Sequence, residues 1–409
     1  MSEDDADEAS GAEATSGAED GVMRILLVLG SSAGGVGTHV KSIAGEFARA
    51  GHSVVIAGPE AANEQFGFAE VADYRRLEVP AQLSPADRRS VSELRAIIRD
   101  VRPDVVHAHG FRAALVAVLA RGTRRPAGPG VVATWHNAVL GGGLRAKVLG
   151  LVERFIARRA DLTLGASRDL VERALALGAP EARLMPVAAP RRVLDASGGV
   201  GGTSGGGGAV DGAGDSADVR GRLRGELGVG DDTTLVLTVG RVAPQKNFGL
   251  LIDAAEMLRG TPARFVVAGG ADAAELETLE RRIDKARLPI EFLGPRTDVG
   301  DLYRASDIFL LTSHWEARAL VVQEAMAAGL PVVATAVGGV PELIDDAGIL
   351  VQPGDGAPSG LSDAIRQLRA DPARARELGD RARERAAGFP GEAEVAAMLL
   401  AVYAEALIR

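Results

Sequence analysis

The sequence predicts an α/β protein with two Rossmann-like domains, each alternating buried parallel strands with helices. Short runs that are almost entirely apolar recur between helical segments, which is typical of strands covered by helices on both faces. This alternation begins at Met23 and begins again at Thr234, on either side of a glycine-rich stretch. A length of 409 residues also exceeds what one compact core usually holds, so two domains of ordinary size are expected.

The composition is that of a globular protein without a basic surface for nucleic acid. Apolar residues make up 46% of the chain and charged residues 25%, which are ordinary values. The net charge of −9 arises mostly in the first twenty residues, which hold eight acids and no lysine or arginine, so the rest contains 46 basic and 47 acidic residues. Because nucleic-acid binding needs a strong basic patch, no such partner is expected.

The first 21 residues are small, polar and acidic, which predicts a disordered tail rather than a signal peptide. No run of eighteen apolar residues occurs, so no membrane span is predicted. The chain contains no cysteine, which excludes disulfides and thiolate metal sites. These features together predict a cytoplasmic protein.

The first domain is predicted to cover residues 22–190 and to open with a βαβ unit. A strand at 23–29, a glycine-rich turn ending at His39, a helix through Ala50 and a strand at 53–57 follow in that order. The turn lacks the Gly-Lys-Ser/Thr ending of a Walker loop. It also lacks the acidic residue that a dinucleotide site needs after the second strand. A turn with a purely structural role remains an alternative.

Two later strands of this domain end in histidines. The strand at 104–110 contains His107 and His109, and the strand at 130–137 ends near His136. Ligands of open α/β sheets gather beyond the carboxyl ends of strands, so His109 and His136 are candidate site residues. The alternative for each is a hydrogen-bonded structural imidazole. We expect His107 to point away from His109 along its strand.

Residues 144–159 are predicted to form an amphipathic helix with a basic side. Leu144, Val148, Val152 and Phe155 recur at helical spacing, and five basic residues face a single acid. The basic side is either the solvated face of a packed helix or a surface that contacts an anionic membrane at the inner face. Both interpretations stay open at this point.

A glycine-rich segment at residues 191–218 is predicted to be a flexible linker or insertion between the domains. The second domain is predicted to cover residues 219–391 and is followed by a terminal helix at 392–409. Its first strand, 234–240, is followed by Arg241 and Lys246 at the start of the next helix. Two cations there can neutralise a diphosphate, although surface charges are common.

The stretch from Ala305 to Asp355 contains two carboxylates, Glu316 and Glu324, around the start of a helix predicted from Leu320 to Ala328. A helix N-terminus offers free N–H groups and partial positive charge, which suit an anionic or hydroxyl-rich ligand. Carboxylates beside it can accept hydrogen bonds from sugar hydroxyls. The alternative is that both glutamates are solvated residues of a surface helix.

These motifs together resemble the retaining glycosyltransferases of family 4, which have the GT-B fold. The similar segments are SDIFLLTSHWEARALVVQEAM, with its E-x7-E spacing, and GGVPELI, VGRVAPQKNF, TWHN and GGVGTHV. The resemblance covers about residues 22–190 and 220–405. It implies two Rossmann-like domains that face each other across a cleft, with the acceptor on the first domain and the nucleotide sugar on the second. It also implies that the terminal helix returns to the first domain.

The resemblance further implies a role for each motif residue. Cationic and glycine N–H groups would bind the diphosphate, His136 and Glu316 would orient the sugar, and Glu324 would hold the ribose. No cofactor and no metal are implied, only a nucleotide-sugar co-substrate. The implied donor site comprises Gly34, Gly35, Arg241, Lys246, Glu316, Ala319, Leu320, Val321 and Glu324; the implied catalytic residues are His136, Glu316, Arg241 and Lys246; and the acceptor-side candidates are His109 and His39.

The chain departs from the family pattern at two places. Arg318-Ala319 stands where the family has Phe-Gly, which adds a methyl group beside the implied sugar site. Val187 and the three residues after it replace the usual Asn-Gly near the domain crossing. Two alternatives accompany the transferase hypothesis. Arg318-Ala319 favours a relative that binds nucleotide sugar without efficient transfer, and a nicotinamide-dependent oxidoreductase would share the α/β architecture.

Overall fold

Two parallel β-sheets, each covered by helices on both faces, organise the protein. The structure, a computed structural model, describes residues 21–31, 34–122, 128–137, 143–188 and 212–408. The acidic tail predicted at 1–21 lies outside the described residues except for Gly21. The predicted α/β class with two Rossmann-like domains is confirmed by the sheets and by their strand order.

The first sheet has seven described strands, all parallel, in the order β3-β2-β1-β4-β5-β6-β7. The elements of this domain are β1 (Arg24–Leu29), α1 (Gly35–Arg49), β2 (Ser53–Gly58), α2 (Glu60–Phe66), β3 (Asp73–Arg76), α3 (Asp87–Val101), β4 (Val105–His109), α4 (Phe111–Ala120), β5 (Gly130–Trp135), α5 (Gly143–Arg159), β6 (Leu162–Gly165), α6 (Arg168–Ala176) and β7 (Ala182–Leu184), with a short 3₁₀ turn at Phe68–Glu70.

The second sheet has six described strands, again all parallel, in the order β10-β9-β8-β11-β12-β13. Its elements are α7 (Gly212–Glu226), β8 (Thr234–Val239), a 3₁₀ turn (Pro244–Lys246), α8 (Phe248–Met257), β9 (Ala263–Ala268), α9 (Ala273–Ala286), β10 (Ile290–Gly294), α10 (Val299–Ala305), β11 (Ile308–Leu311), α11 (Leu320–Ala327), β12 (Val332–Thr335), α12 (Val340–Ile344), β13 (Gly348–Val351), α13 (Ala357–Ala370), α14 (Pro372–Ala387) and α15 (Glu392–Ile408).

The central strands are buried because helices cover both of their faces. In β1, every residue from Ile25 to Leu29 is inaccessible to solvent, which explains why its sequence is an unbroken apolar run. Truncating one of these side chains to alanine costs roughly 2–5 kcal/mol, through lost transfer energy and the cavity left behind. These strands therefore form rigid supports for the loops at their carboxyl ends.

Each sheet reverses its strand order at one pair of neighbours, β1 with β4 and β8 with β11. Ligands of open α/β sheets bind outside the carboxyl ends of the strands at this reversal. In the first sheet, Leu29 and His109 lie opposite each other in the last register of the β1–β4 pair. The fold thus places the glycine-rich turn after β1 beside the histidine at the end of β4.

The C-terminal helix returns to the first domain, as predicted. Helix α15 packs against α1 and β5, and Val395, Leu399 and Tyr403 are fully buried in the core that surrounds β1. The Tyr403 ring meets the Phe47 ring edge-on at 5.7 Å between centroids. The chain therefore crosses twice between the two domains, which is part of the GT-B arrangement predicted above.

The segment predicted as a linker, 191–218, is only partly within the described residues. Residues 189–211 lie outside them, and α7 begins at Gly212, so the last seven residues of the predicted range are helical. The glycine-rich composition suggested coil up to residue 218, but α7 packs against α10, and such tertiary packing overrides a weak intrinsic preference. Within the described residues, no helix is both long and apolar enough to span a bilayer.

Candidate active site

Two neighbouring cavities of about 690 and 220 Å³ open between the two domains, at the carboxyl ends of both sheets. Gly35, His136, Lys246 and Val321 line both of them. Of the other residues predicted for the site, the larger cavity is lined by Gly34, His109 and Arg241, and the smaller by Glu316, Ala319 and Leu320. The structure therefore brings together donor-site candidates that lie up to 287 positions apart in the chain.

A third cavity, of about 920 Å³, lies elsewhere, at the amino ends of the strands in the second sheet. Below, the larger and the smaller cavity are the two interdomain cavities. It is lined by residues such as Thr234, Asp307 and Pro331, which precede or begin β8, β11 and β12. None of the predicted site residues lines it. Because ligands of this kind of sheet bind at the opposite, carboxyl edge, the interdomain cavities are the better candidates despite their smaller volume.

Lys246 and Glu316 form an ion pair at the centre of the cleft. Lys246 Nζ donates to Glu316 Oε1 over 2.6 Å, and the Ser313 hydroxyl donates to the same oxygen over 2.7 Å. The side chain of Lys246 is 22% exposed, and that of Glu316 is 10% exposed. Asn247 follows at φ 52°, a left-handed conformation that asparagine tolerates, and it ends the 3₁₀ turn that carries Lys246. The ammonium is thereby fixed beside the carboxylate.

Arg241 lines the larger cavity at the carboxyl end of β8, and its side chain is exposed. Within the described part of the chain it makes no ion pair, unlike Lys246. A guanidinium that is exposed in a cleft keeps its donors available for a bidentate contact with phosphate oxygens. Arg241 and Lys246 together give this wall of the cleft two positive charges against the single carboxylate of Glu316.

The loop that carries Glu316 is held by close backbone contacts with the turn after β12. Gly339 N–H donates to Glu316 O over 2.8 Å, and Gly338 has φ 52°. A Cβ atom at Gly338 would lie 2.1 Å from Glu316 O, and one at Gly339 would lie 2.0 Å from Ala317 O. Glycine is therefore required at both positions, because any side chain would displace the Glu316 loop.

The same loop touches the first domain. Trp315 Nε1–H donates to Asp169 Oδ2 over 2.9 Å, and Trp315 is 8% exposed. Gln323 Nε2 donates to Val187 O over 3.3 Å, also across the cleft. Sequence reasoning missed these interdomain contacts, since a hydrogen bond that spans 146 positions leaves no local pattern in the sequence.

The N-terminus of α11 faces the glycine-rich turn of the first domain. Ala319 is its N-cap residue, with φ −78° and 3% exposure. A Cβ atom at Gly35 would lie 3.0 Å from Leu320 Cδ1, so the two loops approach closely. Because the φ of Ala319 is accessible to any residue, the methyl group that replaces the family's glycine introduces no backbone strain.

Arg318 also lines the smaller cavity, but its guanidinium is engaged elsewhere. The Arg318 Cζ atom lies 4.8 Å from the centroid of the Phe389 ring, which is a cation–π contact. Burial lowers the pKa of Arg318 to about 10. The family's phenylalanine is thus replaced by an arginine that covers an aromatic ring of the second domain.

Glu324 differs from the other donor-site candidates because it lines neither cavity. Its Oε2 atom accepts a hydrogen bond of 2.8 Å from the hydroxyl of Tyr303, a residue that sequence reasoning missed. Burial raises the pKa of Glu324 to about 7, and the hydrogen bond from Tyr303 opposes that rise. The carboxylate lies one turn deeper along α11 than Val321.

His109 and His136 form a hydrogen-bonded pair in the wall of the larger cavity. His109 Nδ1 lies 3.2 Å from His136 Nε2, and the two residues are 3% and 9% exposed. Burial lowers the pKa of His136 to about 3, and it holds that of His109 well below the usual value. Both imidazoles are therefore neutral at physiological pH, and His136 can serve the cleft as a hydrogen-bonding group rather than as a cation.

His39, an acceptor-side candidate, lies beside this pair but lines neither cavity. Its ring centroid is 5.7 Å from that of His109 and 6.0 Å from that of His136. Burial lowers its pKa to about 4. His39 therefore packs against the cavity-lining histidines from within the domain.

The expectation that His107 points away from His109 is wrong. The two ring centroids are 4.1 Å apart, because residues two apart on a strand share one face of the sheet. His107 is fully buried and bonds through its two ring nitrogens to the Tyr403 hydroxyl, at 2.5 Å, and to Thr134 Oγ1, at 2.6 Å. The returning helix α15 thus reaches the layer of histidines directly behind the cleft.

Within the described residues, no group of three or more His, Asp or Glu side chains has the geometry to hold a metal ion. The described groups that converge on the cleft include the cations Arg241 and Lys246, the carboxylate of Glu316, two neutral imidazoles, glycine backbone and the N-terminus of α11. This set can bind a diphosphate electrostatically and accept or donate hydrogen bonds to sugar hydroxyls.

Comparison with known proteins gives matches over both domains. Residues 219–385 match the model of the glycosyl transferases group 1, and residues 34–190 match that of the glycosyl transferase 4-like domain. A D-inositol 3-phosphate glycosyltransferase of Saccharomonospora viridis is 31% identical over 414 residues, covering 92% of this chain and 90% of that protein.

Other matches are shorter or show the fold alone. The D-inositol 3-phosphate glycosyltransferase of Kineococcus radiotolerans is 37% identical over 210 residues, so this chain spans 48% of the length of that relative. Two further relatives of the same name are spanned to a similar extent, 47% and 46%. The crystal structure of Anabaena HepE in complex with UDP has a TM-score of 0.76 at 21% identity, covering 94% of this chain and all of that one. The chain belongs to the group 1, or family 4, glycosyltransferases of the GT-B fold.

Proposed function

We propose that the protein is a retaining glycosyltransferase that moves a sugar from a nucleotide-sugar donor to a hydroxyl group of an acceptor. The observation that carries this proposal is the convergence of Arg241, Lys246, Glu316 and His136 on one interdomain cleft. Clefts at domain interfaces are favoured ligand sites. A nicotinamide-dependent oxidoreductase would give no role to the Lys246–Glu316 pair.

The chemistry requires stabilisation of a departing nucleoside diphosphate. The bond between the anomeric carbon and the diphosphate oxygen breaks, and its electron pair leaves with the phosphate. Arg241, Lys246 and the N–H groups at Gly35 and at the start of α11 lie where they can oppose that charge, in a site that needs no reorganisation. His136 and Glu316 orient the sugar.

Retention of the anomeric configuration is proposed because the described residues of the cleft offer no free carboxylate that could act as a base for inversion. Among the described residues that line the two cavities, Glu316 is the only carboxylate, and Lys246 and Ser313 already engage it. Attack by the acceptor hydroxyl on the face that the diphosphate leaves needs no enzymatic base. The acceptor proton then passes to the departing phosphate oxygen, and the new bond forms on the same face of the sugar.

The proposal includes independence from metal ions. Arg241 and Lys246 supply the positive charge that a divalent cation supplies in other diphosphate sites. Transfer is therefore expected to continue at its full rate in excess EDTA. A rate that falls in EDTA and returns with Mg²⁺ or Mn²⁺ would refute this part.

We propose a small, hydroxylated and phosphorylated acceptor. The relatives named above act on D-inositol 3-phosphate according to their names. On the acceptor side of the larger cavity, Arg112 stands at the start of α4, and its buried Nη1 atom has no hydrogen-bond partner. Its other nitrogens donate to Pro80 O, Gln82 O and the Asp87 carboxylate. An anion can take the remaining donors, with help from the N-terminus of α4.

Purified protein offered a panel of UDP-, GDP- and ADP-sugars tests the function. The expected result is diphosphate release from one donor class, faster with inositol phosphate than with inositol. Proton NMR of the product should show the anomeric configuration of the donor. An inverted product would refute retention, and reduction of carbonyl substrates by NADH without diphosphate release would favour the oxidoreductase.

We also propose that α5 contacts an anionic membrane surface. Val148 and Leu151 of this helix are 44% and 67% exposed, and the basic side chains of Lys147, Arg154 and Arg158 are exposed beside them. An apolar strip flanked by cations suits an interface with acidic lipids. Co-sedimentation with phosphatidylglycerol vesicles, but not with phosphatidylcholine vesicles, is expected and should be lost in Leu151→Gln. Equal sedimentation of the variant would refute the contact.

A further inference from the structure

Tyr303 is a buried tyrosine whose hydroxyl group meets one of the two glutamates of the E-x7-E segment. The residue lies on α10 and is 1% exposed, and its ring packs against Phe309 at 5.9 Å between centroids. Its hydroxyl oxygen lies 2.8 Å from Glu324 Oε2 and 3.2 Å from Val321 O. With one O–H proton, it donates to the carboxylate, which is the closer and the more strongly accepting partner.

Glu324 lies on the same side of α11 as two residues that line the cleft, one turn deeper along the helix, although it lines neither cavity itself. It follows Val321 by three positions and Leu320 by four, and both of those residues line the interdomain cavities. Residues at these spacings are neighbours on one face of a helix. Glu324 is half-buried. Its Oε2 atom accepts from Tyr303, whereas Oε1 has no hydrogen-bond partner among the described residues, so it can accept from a ligand.

No described cation compensates this carboxylate. Tyr303 is the titratable group that α10 presents to it. From α14, Arg383 donates to Ala328 O at the far end of the helix. The strands β11 and β12, which also pack against α11, contribute apolar residues and Thr335 only. Burial therefore raises the pKa of Glu324 to about 7, and the Tyr303 hydroxyl is the one group that holds the ionised form in place.

We propose that Tyr303 is a positioning residue for donor binding: it fixes Oε2 of Glu324 so that Oε1 accepts hydrogen bonds from the ribose hydroxyls of a nucleoside diphosphate. This proposal rests on the proposed function, because a ribose reaches α11 only if the protein binds a nucleotide sugar in the cleft. Tyr303 itself cannot touch the nucleotide, since it is buried in the core of the second domain. Its effect reaches the ligand through Glu324 alone.

Tyr303→Phe tests the role while keeping the ring in the core. Calorimetric titration with the nucleoside diphosphate of the active donor should show a dissociation constant raised by about 10–150-fold at pH 7.5, the range expected for one hydrogen bond to a charged group. The affinity of the wild type should fall as the pH drops through 7. In Tyr303→Phe that fall should occur at a higher pH, because the ionised carboxylate has lost its donor.

Two variants serve as controls. Glu324→Gln should bind weakly at every pH, with no dependence on pH near neutrality. Tyr74→Phe removes another partly buried hydroxyl, which donates to Gly58 O at the edge of the first sheet, and it should bind like the wild type. A purely structural role for Tyr303 would lower the thermal stability but leave both the affinity and its pH profile unchanged.

A second measurement does not depend on folding of the variant. The chain has three tyrosines, so biosynthetic 3-fluorotyrosine gives three fluorine resonances, which Tyr74→Phe and Tyr403→Phe assign. The Tyr303 resonance should titrate near pH 7 and should shift when the nucleoside diphosphate binds. The positioning role is overturned if the Tyr303 resonance changes neither with pH nor with nucleotide binding, or if the Tyr303→Phe protein has wild-type affinity and pH profile. A wild-type protein that binds no nucleoside diphosphate overturns it together with the proposed function.

Discussion

Lys246 Nζ and Glu316 Oε1 lie 2.6 Å apart between the two domains, in a pair that is mostly shielded from solvent. Under the proposed function, this pair provides one group for each half of the donor: the ammonium for the diphosphate and the carboxylate for the sugar. The two roles can be separated by substitution. Changing Lys246 should weaken binding of the nucleoside diphosphate, whereas changing Glu316 should slow transfer.

Glu316→Gln should slow transfer strongly while sparing nucleotide binding. The amide keeps the size of the side chain and can still accept a hydrogen bond from Ser313. It is neutral, however, so it loses the charge-assisted hydrogen bonds to the sugar hydroxyls. We expect the transfer rate to fall on the order of 100-fold, the scale of losing one preorganised electrostatic group. The dissociation constant of the nucleoside diphosphate should change by less than about 3-fold, or under about 1 kcal/mol, because in the proposed arrangement Glu316 contacts the sugar and not the diphosphate. A variant with a wild-type transfer rate would contradict the role given to Glu316.

Gly339→Ala should displace the loop that carries Glu316. The added methyl group would lie 2.0 Å from Ala317 O and 2.9 Å from Ser167 Cβ. Overpacking of this kind costs about 1–3 kcal/mol, and transfer should be lost with it. Gly356→Ala is the matched control, since that glycine has nearly the same backbone conformation, φ −82° against −84°, and open space around it. Urea unfolding and the transfer rate measure both effects; equal stabilities of the two variants would contradict the clash.

Glu324→Gln should stabilise the protein at alkaline pH but not at acidic pH. Burial raises the pKa of Glu324 from 4.5 to about 7 in the folded state, so the folded state binds its proton more tightly than the unfolded chain does. The ionised carboxylate therefore lowers the free energy of unfolding as the pH rises from 4.5 to 7, by up to about 3 kcal/mol. Urea unfolding of the variant and the wild type at pH 4.5 and pH 8 measures this difference. A gain that is equal at both pH values would contradict the raised pKa.

Trp315→Phe should loosen the contact between the domains without unfolding either one. It removes the indole donor to Asp169, whereas the apolar ring is largely retained. We expect a larger radius of gyration in small-angle scattering and an increase in the KM of the donor. Arg168→Ala removes an interdomain ion pair whose side chains are 71% and 38% exposed, and such a pair contributes about 0–1 kcal/mol. That variant should scatter like the wild type; a larger change in Arg168→Ala than in Trp315→Phe would contradict the assignment.

Local sequence patterns were sufficient to predict the two sheets, and the family resemblance supplied most of the cleft residues. Strands such as β1 are apolar because helices cover both of their faces, and the loops that follow them occupy a position fixed by the sheet topology. Gly35, Lys246 and Leu320 lie on such loops or directly after them, and their convergence was expected because the family resemblance implied that the two domains face each other.

Contacts that depend on tertiary packing could not be predicted in this way. The hydrogen bonds from Tyr303 to Glu324 and from Trp315 to Asp169 join elements whose separation and rotation are set by the packed core. The placement of Glu324 outside both cavities has the same origin. The orientation of His107, by contrast, was available from the two-residue period of a strand, and the error came from applying that period wrongly.

The most direct test of the central claim is calorimetric binding of the nucleoside diphosphate to the wild type, Lys246→Ala and Arg241→Ala. If these two cations hold the diphosphate in the interdomain cleft, each variant should bind at least about 10-fold more weakly than the wild type, as expected for the loss of a charge-assisted hydrogen bond. Wild-type affinity in both variants would contradict the account.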